Sequence, residues 1–396
     1  MTVAAHTLGC KLNFAETSDL LRRLAAEGNT IVEWGAGADL YLINTCTVTA
    51  VAEKKCRAAI RQAHRLNPHA QIVVMGCFAQ VAADDIAKLP GVTQVLGNES
   101  KRMLSSSGDD RTRTFFKIQD GCDYFCTYCA IPYARGRSRS ATIDETLCAA
   151  RRIADSGSKE VILTGVNTGT FGLLHGESLL DLLRGLDAIE GIQRYRISSI
   201  EPNLLTDDII DFVAHSRAFL PHFHIPLQAG SDHVLQLMRR RYDTALYRTK
   251  LERIKALMPD ACIAADIMAG FNGESEEEFH KTLNFIDSLP VSYLHVFTYS
   301  DRPGTAALRL GEKVPLPVRR QHTTRLLELS ERKHRAFIDS QLGKQRPVLW
   351  ESKQHGSDML GWTDNYIRLR RPYDKKLVGT IEQVVITPGN IVGDTD

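Results

Sequence analysis

Three cysteines stand in one short stretch, GCDYFCTYC at 121–129, spaced C-x3-C-x2-C as Cys122, Cys126 and Cys129. Three thiolates this close together can bind three irons of a [4Fe–4S] cube and leave the fourth iron open to an outside ligand. A structural zinc is the competing chemistry, but it usually takes a fourth Cys or His nearby, which this loop lacks. Cys10, Cys46 and Cys77 each follow an apolar run, and the chain holds nine cysteines in all. An odd number spread over most of the chain suits a small secreted disulfide scaffold poorly. It suits an intracellular enzyme that uses thiolates as metal ligands better. Cys56, Cys148 and Cys262 fall in helix or strand patterns and are expected to pack in cores. The 13 histidines show no pairing at metal-ligand spacing. For His224, facing a barrel interior and ordinary packing stand as equal alternatives.

The elements that must position these thiols can be read from periodicity. Residues 2–9 lead into Cys10, 39–45 (DLYLINT) into Cys46 and 71–76 (QIVVMG) into Cys77, with a helix pattern after each. After Cys46, the residues Ala52, Cys56, Ala59, Ala63 and Leu66 recur at steps of four and three, one face of a helix. Strands alternating with helices imply an open parallel α/β sheet, whose ligands sit beyond the carboxyl ends of the strands. All three cysteines lie at such ends. On spacing alone, a second cluster and three buried thiols both remain open.

Residues 101–113 are polar and Ser/Asp-rich, a linker pattern. Six further strands are expected at 114–119, 160–166, 194–200, 222–227, 262–269 and 293–299. Helix patterns lie between most of them, as at 178–189, where Leu179, Leu180, Leu183, Leu186 and Ile189 share a face. That alternation predicts a partial (β/α)6 barrel with its chemistry at the carboxyl mouth. A charged helix is expected over 318–342. Short β-like runs at 348–351, 366–369 and 378–386 fit a small antiparallel β-barrel. The predicted architecture is thus α/β, with an open parallel domain at 1–103, a linker at 104–113, a partial barrel at 114–340 and a small β-barrel at 341–396.

Composition limits the function classes. Of 396 residues, 43% are apolar and 24% charged, and the formal charge is +2, so this is neither a disordered tail nor a bulk-basic nucleic-acid binder. No apolar run approaches the ~18–20 residues of a membrane helix, and the N-terminus lacks a secretory pattern, so a cytoplasmic location is expected. Charge is instead clustered. Arg135, Arg137 and Arg139 follow the cysteine loop, and Arg239–Arg241 end a short helix pattern. Arg368, Arg370, Arg371, Lys375 and Lys376 lie beside Tyr366 and Tyr373. Basic side chains among aromatics can hold phosphates and stack bases.

The cysteine loop, with an aromatic residue before its last cysteine (Tyr128), resembles the signature of radical S-adenosylmethionine enzymes. The surrounding KIQDGCDYFCTYCAIPYARGRSRS (117–140) is similar to the methylthiotransferase family, and the resemblance runs the length of the chain. TLGCKLN (7–13), INTCTVT (43–49) and GCFAQ (76–80) match the family's N-terminal domain. HIPLQAGSD (224–232), MAGFNGESEEEF (268–279) and YSDRPGT (299–305) match its core. The last ~55 residues resemble the TRAM-like β-barrel with which such enzymes hold RNA. Ala229 replaces a more usual Ser, a small departure.

The resemblance implies two [4Fe–4S] clusters and S-adenosyl-L-methionine as cofactors. Cys122, Cys126 and Cys129 would hold the cluster whose open iron chelates S-adenosylmethionine, so that its reductive cleavage yields a 5′-deoxyadenosyl radical. Cys10, Cys46 and Cys77 would hold the auxiliary cluster, where sulfur is methylated by a second S-adenosylmethionine. The cofactor contacts it implies are Tyr128, Gly165 and Asn167 in LTGVNTG, Ser199 and Glu201 in SSIEP, and Gly270. Arg135, Arg137, Arg139, Arg368, Arg370 and Arg371 would face RNA. Among branches, the motifs resemble the one that converts N6-threonylcarbamoyladenosine next to a tRNA anticodon into its 2-methylthio derivative. Its partners would be the tRNA anticodon stem-loop, a low-potential electron donor and a sulfur source, with no membrane. The alternatives are action on N6-isopentenyladenosine or on a ribosomal-protein aspartate, or a non-catalytic iron–sulfur RNA-binding protein.

Overall fold

The computed structural model describes residues 1–107 and 112–392; residues 108–111 of the expected linker and 393–396 lie outside the described residues. The first hundred residues form a five-stranded parallel sheet. In chain order the strands are β1 (Thr2–Thr7), β2 (Thr30–Val32), β3 (Leu40–Thr45), β4 (Gln71–Gly76) and β5 (Val92–Leu96), in spatial order β2-β1-β3-β4-β5. Every residue of β3 is buried, as a central parallel strand covered on both faces requires. Helix α1 (Lys11–Ala26) lies on one face and α2 (Ala50–Leu66) on the other. Thr49 starts α2 by accepting from the Ala52 amide, and Cys56, Ala59 and Ala63 are buried on the anticipated stripe.

The second unit has six parallel strands in chain order. β6 (Arg113–Lys117), β7 (Glu160–Thr164) and β8 (Arg194–Ile197) form one sheet, and β9 (His222–His224), β10 (Cys262–Ala269) and β11 (Tyr293–Thr298) another. A bridge from Tyr195 to Phe219 joins the two. All six coincide with the strands anticipated from sequence, and together they make the partial barrel. Leu179, Leu182, Leu183 and Leu186 of the helix Leu179–Asp187 bury one face against it.

The last unit is a curled antiparallel sheet, with Gln345–His355 paired to Asp358–Thr363 and to Ile381–Val385, and Asp358–Thr363 paired to Arg368–Pro372. After Val385 the chain returns to the opposite edge, where the Arg370 amide donates to Asn390 O at 2.8 Å and the Val392 amide to Arg368 O at 3.0 Å. The strand Asp358–Thr363 falls between the β-like runs expected from sequence. Tyr366, expected within a strand, occupies a left-handed turn at φ 69° instead.

This sheet caps the amino-terminal end of the barrel. Glu160, the first residue of β7, is fully buried and holds Arg196 Nε at 2.8 Å and Arg194 Nη1 at 3.4 Å. Both guanidiniums then donate across the boundary, Arg194 to Pro347 O (2.5 Å) and Trp362 O (3.0 Å), Arg196 to Thr363 O (2.8 Å) and Asp364 O (2.9 Å). The Tyr366 ring reaches into the floor, 4.4 Å from the His222 ring and under the Arg196 guanidinium. Burial alone would raise the Glu160 pKa, but Arg196, Arg113 and Arg194 hold it below the usual carboxylate range. Removing one member of a buried ion group strands the others. Glu160→Gln is therefore expected to cost about 3–5 kcal/mol in anaerobic denaturant unfolding. It should also expose the 341–345 junction to limited proteolysis.

Candidate active site

The cysteine loop follows directly from the short strand Gln119–Asp120. Gly121 makes the turn at φ 69°, and a Cβ there would meet Arg137 O at 1.9 Å, so only glycine fits. The loop is held by backbone: the Cys122 amide donates to Gly136 O (3.1 Å), the Thr127 amide to Met238 O (3.2 Å) and the Ala307 amide to Thr127 O (2.8 Å). Burial pushes the Cys122 thiol up to about 11 and the Cys129 thiol to about 12, and raises Cys126. Arg240 opposes this, donating to Cys126 Sγ at 3.1 Å and to the Tyr128 hydroxyl at 3.4 Å while it pairs with Glu201. Burial raises the Glu201 pKa, and Arg240 pulls it back.

The second triad gathers at the carboxyl ends of β1, β3 and β4, which are adjacent in the sheet. Cys10 precedes α1, Cys46 follows Thr45, and Cys77 opens the short helix Cys77–Val81. Gly9, at φ 112°, brings β1's exit against Cys46, since a Cβ there would meet Cys46 Cβ at 2.9 Å. The Cys46 thiol is pushed up to about 11 by burial first, then by its neighbours Cys77 and Cys10. Cys56 is buried as anticipated, and its sulfur accepts from the Cys46 amide at 3.4 Å. Cys262 is buried too, but Cys148, expected in a core, is exposed. Its helix turns that position outward beside Arg152.

Among the described residues, the one set of three possible ligand atoms all within 4.8 Å of one another is His224, Asp266 and His295. Neither cysteine triad closes to that distance. Four ligands around one zinc at Zn–S of about 2.3 Å would bring sulfurs within roughly 4 Å of each other. Three thiolates without a fourth ligand suit a multi-iron cube with one iron open.

Helix Ile131–Arg135 runs from the first triad to the second. Its last residue, Arg135, is buried and donates to Asp120 Oδ1 (2.8 Å), Glu16 Oε1 (3.0 Å) and Asn13 Oδ1 (2.5 Å). Its charge faces Cys77 and Cys10. Arg135, expected to face RNA, is thus corrected: its donors are spent on carboxylates inside the protein. The same holds for Arg240, and of the group 135, 137 and 139 only Arg137 is largely exposed. Arg370 is exposed, while Arg368 and Arg371 are partly covered beside Glu351 and Glu382.

The anticipated cofactor contacts divide. Tyr128, Glu201 and Ser199 lie around the first triad's end of the barrel, where the Ser199 carbonyl accepts from Thr168 Oγ1 at 2.8 Å. Gly165 packs on Gln119, whose Oε1 already takes the Val166 and Asn167 amides at 2.8 and 2.9 Å. The side-chain amide of Asn167 is buried beside the Tyr124 hydroxyl. Gly270 packs on Arg319, which a Cβ would meet at 2.3 Å, so its identity answers to that helix and to its φ of 73°. Gln119 and the meeting of His224 with Asp266 and His295 escaped the sequence reading, and Arg240 was read as part of a basic cluster for RNA rather than as a partner of Cys126. The last had one usable signal: Asp266 and His295 are directly paired in register on neighbouring strands, with His224 beside Ala264.

Glu16 and Asp120 are the two buried carboxylates that receive Lys101, Lys117, Arg135 and Arg139. Burial would raise the Glu16 pKa, but Arg135, Lys101 and Lys117 hold it well below the usual range. A depressed carboxylate contributes stability that is complete above about pH 4.5 and lost as pH falls through the folded value. Glu16→Gln should therefore lose about 3 kcal/mol or more at pH 7. Anaerobic unfolding of the variant should also show a shallower decline on acidification than the wild type.

Known proteins agree with this arrangement. Residues 2–97 match the uncharacterized protein family UPF0004 and residues 116–286 the radical SAM superfamily. The threonylcarbamoyladenosine tRNA methylthiotransferase MtaB of Bacillus subtilis is 36% identical over 97% of this chain and 93% of its own. That of Aquifex aeolicus is also 36% identical, over 98% and 100%. The tRNA-2-methylthio-N(6)-dimethylallyladenosine synthase of Desulfitobacterium hafniense is 30% identical, over 98% and 95%. Among solved structures, the radical S-adenosylmethionine methyltransferase TsrM of Kitasatospora setae shares the fold. It aligns with a TM-score of 0.55 at 14% identity, over 75% of this chain and 74% of that one. With its paired cysteine triads, its barrel and these relatives along its whole length, the chain belongs to the radical S-adenosylmethionine methylthiotransferases, in the MtaB branch.

Proposed function

We propose that this enzyme converts N6-threonylcarbamoyladenosine next to the anticodon of tRNA into its 2-methylthio derivative, replacing a C–H hydrogen by CH3–S. The observation that carries the proposal is the pair of cysteine triads at two sets of strand ends, joined by the helix Ile131–Arg135 and by the Arg135 clamp. Each donor set has three soft thiols, which fits a [4Fe–4S] cluster with one iron left open. Cys122, Cys126 and Cys129 would hold the cluster that binds S-adenosylmethionine, and Cys10, Cys46 and Cys77 the one that carries sulfur. Bound there, the two clusters and S-adenosylmethionine supply one-electron chemistry and a methylated sulfur that side chains alone cannot provide.

The protein's own share is placement. Arg240 stabilises negative charge on Cys126 by a charge-assisted hydrogen bond. Glu201 and the buried amide of Asn167 offer polar partners to the nucleoside part of S-adenosylmethionine. The sealed floor leaves the carboxyl mouth as the way in for substrate, and the N-terminal domain covers that mouth's open side. Thr47, next to Cys46, is tied to the core by Arg302 Nη2 at 3.1 Å.

The units are read as a methylthiotransferase domain (1–103), a linker (104–113), the radical core (114–340) and an RNA-holding TRAM-like sheet (341–396). Arg137 and Arg370, with exposed Lys375 and Lys376, are the phosphate contacts this reading favours for the anticodon stem-loop. No helix among the described residues is long and apolar enough to cross a membrane. A cytoplasmic site of action, a low-potential electron donor and a sulfur source complete the proposal.

Reduced protein with S-adenosylmethionine should release 5′-deoxyadenosine, and Cys126→Ala should abolish it. Cys10→Ala should keep that release yet form no methylthio product. Nucleoside mass spectrometry of tRNA from a deletion strain should show loss of the 2-methylthio-threonylcarbamoyl nucleoside only. Loss of the 2-methylthio-isopentenyl nucleoside instead would overturn the substrate, and no 5′-deoxyadenosine with both clusters intact would overturn the enzyme.

A further inference from the structure

The barrel interior holds a polar recess one layer above the Tyr366 floor. His224 Nε2 and Asp266 Oδ1 are 2.7 Å apart, and the His295 ring stands edge-on to His224 at 5.2 Å. His224 and Asp266 are each nearly one-fifth exposed, and His295 more so, which leaves the group open to a ligand. Lys11, the residue after Cys10, is exposed and brings its charge to bear on His295 and His222 from the N-terminal domain. The recess therefore lies where that domain meets the barrel.

Buried polar atoms around it lack partners. Both ring nitrogens of His222 are unbonded, although that residue is 8% exposed and shares a strand face with His224. Thr164 Oγ1 and Ser198 Oγ are likewise buried and unbonded. Thr164 lies on the face of β7 that carries Glu160, and Ser198 follows Arg196 by two residues, so both point into the barrel. Buried polar groups are normally satisfied, and a set of orphans facing one space indicates a polar ligand.

We propose that Lys11 and His295 form a carboxylate subsite for the threonyl group of the substrate adenosine, with His224, oriented by the positioning residue Asp266, beside them to accept from the threonyl hydroxyl. This rests on the tRNA reading above. The donors support it: His224 spends its Nε2–H on Asp266, which leaves the Lys11 ammonium and a His295 N–H for an anion. The threonyl hydroxyl adds a second polar contact for Thr164, Ser198 or His222. An isopentenyl substituent in the same place would leave every one of these groups unpaired, and such penalties discriminate strongly.

The test uses cluster-loaded enzyme and a synthetic anticodon stem-loop carrying N6-threonylcarbamoyladenosine, the same RNA with its carboxylate converted to a methyl amide, and one carrying N6-isopentenyladenosine. Fluorescence anisotropy gives Kd, and mass spectrometry gives product. Wild type should bind the carboxylate RNA about tenfold or more tighter than the amide. Lys11→Met and His295→Phe, both exposed positions, should each bring that ratio towards one with cluster absorbance and iron content unchanged. Equal binding of the two RNAs by wild type, or variants that keep the ratio, would overturn the subsite while conversion of the carboxylate RNA leaves the tRNA reading standing. Conversion of the isopentenyl RNA alone would overturn both. A stoichiometric divalent metal beyond cluster iron, lost in Asp266→Asn, would make the group a cation site and overturn the carboxylate assignment.

Discussion

Two carboxylates buried between the domains set the geometry on which the rest depends. Glu16 comes from the first helix of the N-terminal domain and Asp120 from the barrel, and Arg135 and Lys117 each bond to both. Each charge would be costly alone in a low-dielectric interior, so none can move without stranding the others. Such a network is a weak source of net stability compared with apolar packing. What it provides is a fixed distance. Arg135 ends the helix that begins two residues after Cys129, and its guanidinium faces Cys77 and Cys10. The two thiol triads are thereby held in one register, although they sit on separate sheets.

The floor of the barrel answers a different need. An open six-stranded barrel exposes polar strand starts at its amino-terminal end, and Glu160 with Arg194 and Arg196 would be costly there without partners. The C-terminal sheet supplies four carbonyl oxygens and the Tyr366 ring, which close the floor. Radical chemistry needs exclusion of water and competing reductants, and a plugged floor achieves this without a lid. The same contacts fix that sheet relative to the barrel.

Much of this was legible in the sequence because strand ends and cysteines coincide. All six barrel strands and the parallel N-terminal sheet follow from periodicity, which also places Cys10, Cys46 and Cys77 at strand ends. The misreadings have a common physical source, since burial is set by tertiary context. ARGRSRS reads as one basic cluster, yet Arg135 closes a helix and turns inward to Glu16 and Asp120, whereas Arg137, two residues on, faces solvent. Arg239–Arg241 reads the same way, but Arg240 turns to Cys126 and Glu201 because the helix Asp232–Leu237 ends beside the cysteine loop. Cys148 lies on the outer side of a helix whose buried face uses Thr146, Ala149, Ala150 and Ile153. His224, Asp266 and His295 are separated by dozens of residues and meet only through strand register.

Electrostatics links these observations. Burial raises the Cys46 and Cys122 thiols to about 11, the Cys129 thiol to about 12 and the Cys126 thiol in the same direction, so ligation must remove protons that these four bind firmly. A site built only of buried cysteines would therefore resist loading. Arg240 beside Cys126 pulls that thiol back towards thiolate, and Arg135 places a permanent positive charge facing Cys77 and Cys10. Because each of these arginines is also bonded to a carboxylate, its charge is held in position rather than free to follow solvent. The ion pairs that align the triads thus also fix a positive charge facing one of them. That double duty explains why they are buried despite the cost.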